Sequence, residues 1–222
     1  AAAKEAALIV IATAAEANSA GTTPAIADFT AAGVTGVTAD NLAAISSALN
    51  SLAVNGEAAN TTAEVQAIVD AANAIKANAD GVASNNATNP TQAQYAALGV
   101  TGVDSAAKES LLGDVIDAKA YSAVDSTPEI QTLAAAVAAV LSGAAGNTAP
   151  TLAQLEALGI TGVTADNLPA IQAAIANTAN DGSEVDSLTE LQGVVTAAAT
   201  AAAAALVIIA AAAEADSAGT TP

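Results

Sequence analysis

The pentapeptide Gly-[Val/Ile]-Thr-Gly-Val occurs three times, at Gly33–Val37, Gly99–Val103 and Gly159–Val163. A proline stands eleven positions before each threonine: Pro24 before Thr35, Pro90 before Thr101 and Pro150 before Thr161. Internal repetition of this kind is the signature of stacked supersecondary units rather than of one large core. The phase divides the chain into modules 24–89, 90–149 and 150–222. Counted from proline to proline they are 66, 60 and 72 residues long. A longer period is also present. Residues 1–24 match residues 199–222 at 17 of 24 positions, and the shared text ends in Ser19–Pro24 and Ser217–Pro222. The offset is 198 residues, the summed length of the three modules. Residues 1–23 therefore read as the tail of a preceding repeat. The chain, which begins at Ala1 without an initiator methionine or a charged leader, reads as a processed product or a window on a longer array.

Each module predicts helices. Thr91 and Thr151 are followed three residues later by Gln94 and Gln154, a capping-box pattern that opens a short first helix. Phe29, Tyr95 and Leu155 occupy the same place five residues after the proline and are candidate core anchors. Gly33, Gly99 and Gly159 then supply the left-handed residue that ends the helix. A second helix is expected to follow Thr38 and Thr164, or Asp104 in the middle module, as N-caps. Leu42, Ile45 and Leu49 lie on one face of it. In the third module Pro169 lies too deep for a helix capped at Thr164, so that helix is expected to begin near Asn167, with proline in its first turn. The third helix has the clearest start. Thr61 with Glu64, Ser126 with Glu129 and Ser187 with Glu190 form three S/T-x-x-E boxes in register, each continuing as Glu-[Val/Ile/Leu]-Gln. In such a box the hydroxyl accepts from the N3 amide while the carboxylate reaches back to the cap. Val65, Ile68, Val69, Ala72 and Ile75 then form one apolar stripe, repeated by Ile130, Leu133, Val137 and Val140. The expected fold is all-α: tandem small three-helix bundles, joined by a long Ala-rich helix. Bundles this small bury little apolar surface, so stacking on neighbours is expected to contribute to their stability.

The long helix is read from Leu188 to about Asp216, roughly 40 Å at 1.5 Å per residue. From Ala197 to Ala213 it is apolar on every face and carries Leu206, Val207, Ile208 and Ile209; residues 1–18 carry the matching Leu8, Ile9, Val10 and Ile11. A helix apolar all round is expected to be buried all round, and an exposed patch of this size is a liability for a lone monomer. These eight residues are therefore the candidate self-association surface. The run approaches the length of a membrane span. Against insertion stand the weak contribution of alanine, the absence of flanking cations and of an aromatic belt, and Lys4 and Glu5 in the earlier copy.

Four lysines against 22 acids give a net charge of −18. That excludes nucleic acid, whose binding needs clustered cations, and adhesion to anionic lipid. The acids keep an Ala-rich surface soluble and self-repelling. With no Cys, Met, Trp, His or Arg, and only Phe29, Tyr95 and Tyr121 as aromatics, the chain lacks the usual transition-metal ligands, thiol nucleophiles and Ser-His triads. No enzymatic activity and no cofactor are expected. The loops Asn78–Gly81 and Asn180–Gly182 are turn signals. Placing Gly182 sixth in a calcium loop puts Asn177, Ala179 and Asp181 in the first three acidic slots and Leu188 in the twelfth, which is not an EF-hand. Surface carboxylates leave open a weakly held divalent cation such as calcium. Ice binding is disfavoured by Thr189, Thr196 and Thr200, whose unequal spacing gives no regular flat face.

The segments Gly33–Leu42 (GVTGVTADNL) and Thr61–Ala71 (TTAEVQAIVDA) resemble the helical tandem repeats of very large bacterial surface proteins, including secreted adhesins and biofilm-associated proteins of Gram-negative bacteria. The resemblance covers all three modules and is strongest at Gly33–Ala71 and Pro150–Val195. It implies an extracellular or cell-surface stalk or matrix element, reached by secretion, without a cofactor, whose partners are further copies of itself. The order of helices also resembles the albumin-binding three-helix modules of Gram-positive surface proteins. That second likeness implies a host or matrix protein as partner and carries over no binding residues. The long apolar helix and the 198-residue period depart from a beads-on-a-string stalk and point to ordered assembly by self-association.

Overall fold

The computed structural model describes residues 1–16, 23–83 and 88–218. The repeated text at Ser19–Thr22 and Gly219–Pro222 lies outside these residues, as do positions 84–87 near the junction of the first two modules. Helix is the regular secondary structure of the described residues, with no strand among them. A single antiparallel bridge joins Asp80 and Ala120. In chain order the helices are α1 (Ala2–Glu16), α2 (Ile26–Ala31), α3 (Leu42–Leu49), α4 (Thr62–Asn78), α5 (Gln92–Ala97), α6 (Ala106–Asp117), α7 (Thr127–Ala144), α8 (Leu152–Ala157), α9 (Leu168–Ala176) and α10 (Leu188–Ala218), with 3-10 turns at Gly56–Ala59 and Tyr121–Ala123. The chain divides into two compact units, residues 1–138 and 139–222.

The short helices α2, α5 and α8 end alike. Phe29, Tyr95 and Leu155 are fully buried. The amides of Val34, Val100 and Ile160 reach back to their carbonyls at 2.9, 3.0 and 3.1 Å, the long bond of a Schellman ending. That ending needs a left-handed residue, supplied by Gly33, Gly99 and Gly159 at φ +79°, +76° and +85°. The second glycine of each pentapeptide is left-handed too, so the chain turns twice within four residues before the next helix.

Across this turn lies a clamp. The amide of Thr35 donates to Gln66 Oε1 at 2.9 Å, and Gln66 Nε2 donates to the Thr35 carbonyl at 3.1 Å. Thr101 and Gln131 repeat the pair at 2.8 and 3.2 Å, and Thr161 and Gln192 at 2.9 and 3.1 Å. A primary amide presents a donor and an acceptor side by side, so each glutamine satisfies both main-chain groups of one residue.

The second helices begin later than the threonine caps imply. Leu42 opens α3 with Asn41 as N-cap. Thr38 donates its amide to Asn41 Oδ1 at 2.8 Å, and Asn41 Nδ2 donates to the Gly36 carbonyl at 2.8 Å. The asparagine therefore holds residues 36–41 as a turn, and Thr38 lies one turn too early to cap α3. Asn167 makes the same bonds to Thr164 and Gly162, and Pro169 falls in the first turn of α9. In the middle segment Ser105, not Asp104, is the N-cap, accepting from the Lys108 amide at 3.3 Å. Asp104 instead meets the Lys108 ammonium at 2.6 Å, which holds its carboxyl below the usual range.

The third helices bury their stripes: Val65, Ile68, Val69, Ala72 and Ile75 in α4, and Ile130, Leu133, Val137 and Val140 in α7. In unit 1, α4 packs on α5, α3, α6 and the 56–59 turn, and α1 packs on that turn and on α2. In unit 2, α10 packs on α9 through Leu191 and Val195.

Candidate self-association site

The two copies of the Leu-rich segment meet different surroundings. In α1 the buried residues are Ala7, Ile11, Ala14 and Ala15. Leu8 is half-buried, and Ile9 and Val10 face outward at 61% and 42% exposure. Helical spacing thus splits the run Leu8–Ile11, which the sequence presents as one patch: Ile11 turns into the protein and its neighbours turn away. At the C-terminal end of α1, Glu16 Oε1 accepts from the Gly56 amide at 2.8 Å. A Cβ at position 56 would lie 2.7 Å from Glu16 Cγ and 3.0 Å from the Ala12 carbonyl oxygen. Glycine there lets the main chain of α1 lie against the 56–59 turn.

In α10 the residues equivalent to Leu8–Ile11 are open among the described residues. Leu206, Val207, Ile208 and Ile209 are 64–69% exposed, and every residue from Ala203 to Glu214 is exposed. The expectation of all-round burial is therefore not met by this chain's own residues. Leu188–Glu214 is long and apolar enough, by length and composition alone, to cross a membrane.

The capping residues stand at the opposite end of their helices. Thr61 Oγ1 accepts from the Glu64 amide at 3.2 Å while Glu64 Oε2 accepts from the Thr61 amide at 3.0 Å. Ser126 donates its hydroxyl to Glu129 at 2.7 Å, and Ser187 to Glu190 at 2.8 Å, with the Glu190 amide returning to Ser187 Oγ at 3.2 Å. The hydroxyls of Thr62 and Thr127, the next residues, each donate at 2.8 Å to a carbonyl at the end of the preceding short helix, Ala32 and Leu98. These bonds fix helix entry and offer no reactive group.

Other chemistry-bearing residues are dispersed. Asp80 and Asp181 accept from the amides two residues on, Val82 and Ser183, as turn residues do. The Ser183 bonds hold the Asp181 carboxyl below its ordinary range. Among the described residues no group of three or more acidic side chains is placed to hold a metal ion. Burial pushes the Tyr95 hydroxyl well above the ordinary phenol range, and that hydroxyl has no hydrogen-bond partner among the described residues. An open groove of about 930 Å³ in unit 1 is lined by α3, the residues after it and the start of α7, including Ser47, Leu52, Gly99 and Pro128; Leu52 is 90% exposed.

Sequence reading missed the clamping glutamines and Gly56. Gln66, Gln131 and Gln192 recur in register, which signals a role but not its partner. Gly56 occurs once and carries no signal.

Comparison with family models, with curated proteins and with solved structures finds no match to this chain.

Proposed function

We propose that this chain is a structural repeat protein of a bacterial surface or matrix, a tandem array of small three-helix modules that builds a fibre or extended adhesin stalk by helix-mediated self-association. The observation that carries the proposal is the exposed apolar run Ala203–Ala213 at the end of a repeat whose other copy is partly buried. A run of this kind on a soluble chain is a joining surface. The triple recurrence of the Thr–Gln clamp supports a modular array, because identical local solutions in series suit stacked repeats. The net charge of −18 restrains random association and leaves contact to surfaces that fit. The resemblance to helical repeats of giant surface proteins supports a location outside the cell for such an array.

Electron microscopy of protein purified from its native source without denaturant tests this. Ordered filaments with an axial repeat matching one three-module period are expected. Dispersed single particles at all concentrations would overturn the assembly reading. A second reading, a multi-copy module that binds a host or matrix protein, draws on the groove beside exposed Leu52. It expects saturable binding of a serum or matrix protein, weakened by Leu52→Asp.

A further inference from the structure

The two copies of the 198-residue period differ in an ordered way. Within α1, the positions that change between the copies are Ala2, Lys4, Glu5, Ile9, Val10 and Thr13, opposite Thr200, Ala202, Ala203, Val207, Ile208 and Ala211. All six are exposed in α1. The four residues that α1 buries, Ala7, Ile11, Ala14 and Ala15, are unchanged as Ala205, Ile209, Ala212 and Ala213. Glu16, which accepts from the Gly56 amide, is unchanged as Glu214. Half-buried Leu8 and Ala12 are unchanged as Leu206 and Ala210. The contact face is thus kept to the atom while the outer face varies.

We infer that the C-terminal half of α10 is a joining helix that docks in the α1 seat of a second copy of this chain, with Ile209 in the place of Ile11 and Glu214 on the Gly56 amide. The seat exists and is filled here by α1, on the 56–59 turn and α2. Its demands are stated by what fills it: alanines at three positions for close approach, one isoleucine, and an acid opposite an unsubstituted glycine. Along α10, residues 205–214 meet all of them. Such a contact is heterologous, using residues 205–214 of one copy and the 56–59 turn of the next, and it extends as an open filament where the rotation between copies does not close into a ring. In the isolated chain α1 holds the seat at high effective concentration, so α10 of another copy must displace it. One difference tunes that competition. Lys4 reaches the C-terminal end of α2, its Nζ 3.7 Å from where a Gly33 Cβ would lie, and a cation is favoured there. The joining helix has Ala202 instead, which makes it the weaker occupant.

The inference rests on the proposed structural role, and its test separates the two. An acceptor chain carries Ile11→Asp, which empties its seat, and Ile209→Asp, which disables its own joining helix. The donor is the unsubstituted chain. Mixed at equal concentration, they are expected to form a one-to-one complex in sedimentation velocity. That complex is lost when the donor carries Ile209→Asp, an exposed position whose change leaves the fold intact. Ile11→Asp alone is expected to give oligomers that lengthen with concentration. Where Ile11→Asp unfolds the acceptor, Ile11→Ala replaces it, and a short bifunctional maleimide reads the joint between exposed Ala211→Cys on the donor and Glu57→Cys on the acceptor, in a chain with no native cysteine. A folded acceptor that stays monomeric beside the donor overturns the inference, as does cross-linking indifferent to Ile209→Asp. Flotation of the donor with neutral phosphatidylcholine vesicles in place of pairing would also overturn it and assign α10 to lipid. Filaments that persist with Ile209→Asp sink the joining helix and leave the fibre. A specific pair with no native filament sinks the fibre and leaves the joint.

Discussion

Replacing Gln131 by glutamate keeps the shape of the clamp and removes its donor. In the native pair Gln131 Oε1 accepts from the Thr101 amide at 2.8 Å and from the Thr101 hydroxyl at 3.2 Å, while Nε2 donates to the Thr101 carbonyl at 3.2 Å. Thr101 is exposed and Gln131 half-buried, so water replaces much of what is lost. At the low end of about 0.5 kcal/mol for each of the two main-chain bonds, Gln131→Ala costs about 1 kcal/mol. Gln131→Glu retains the accepting side but sets a charged oxygen against a carbonyl oxygen, and about 1.5 kcal/mol is expected at pH 7. Protonation restores an O–H donor. The folded-state carboxyl is therefore raised above the free glutamate value, because only its protonated form can donate to the Thr101 carbonyl. Because it is raised, its proton-linked stability is present at low pH and lost as pH rises through the folded value. Urea unfolding followed by far-ultraviolet circular dichroism, at pH 7 and at pH 5, measures both effects. The deficit against the parent should be smaller at pH 5 than at pH 7, with pH 5 still above the pI near 4.1. A Gln131→Glu chain as stable as the parent at pH 7, or a deficit unchanged between the two pH values, would show that the side-chain amide does not donate to Thr101.

Three further expectations use the same unfolding assay. Tyr95→Phe removes a buried hydroxyl that has no partner among the described residues and should stabilise unit 1 by up to about 1 kcal/mol. Its raised phenol pKa means that the parent loses stability above pH 10, where the unfolded chain ionises first, and the variant should lose less. Gly99→Ala should cost more than Gly102→Ala: both are left-handed, a strain of about 1–2 kcal/mol for alanine, but the added methyl at 99 falls on Ser51 Oγ and that at 102 meets nothing within 4 Å. Equal losses would refute the contact. Thr61→Ala removes a reciprocal cap and should cost about 1 kcal/mol, with the fraying confined to the first turn of α4 in amide exchange.

The helical class and the starts of α4, α7 and α10 were legible because caps act within four residues, and three copies in register outweigh coincidence. The left-handed glycines after Phe29, Tyr95 and Leu155 were legible for the same reason. The start of α3 was misplaced because Thr38 and Asn41 are both good caps, and the carboxamide, reaching Gly36 and Thr38 at once, wins; in the third module Pro169 had already pointed to the observed cap at Asn167. The glutamine clamps link residues about 30 apart, and no local rule pairs them. The candidate surface was half legible. Composition singled out Leu8–Ile11 and Leu206–Ile209, but that Ile11 turns inward follows from α1 packing on α2 and on the 56–59 turn, where Gly56, far from both copies in sequence, leaves no pattern to read.

Placement of the aromatics has an optical consequence. Phe29, Tyr95 and Tyr121 all lie in the first compact unit, and residues 139–222 contain no chromophore beyond the peptide bond. Absorbance and emission in the near ultraviolet therefore see one unit only, whereas the far ultraviolet sees both. The chain is its own differential probe: tyrosine emission that changes at one urea concentration and ellipticity that continues to change at another would report two units melting in turn, without any label being attached.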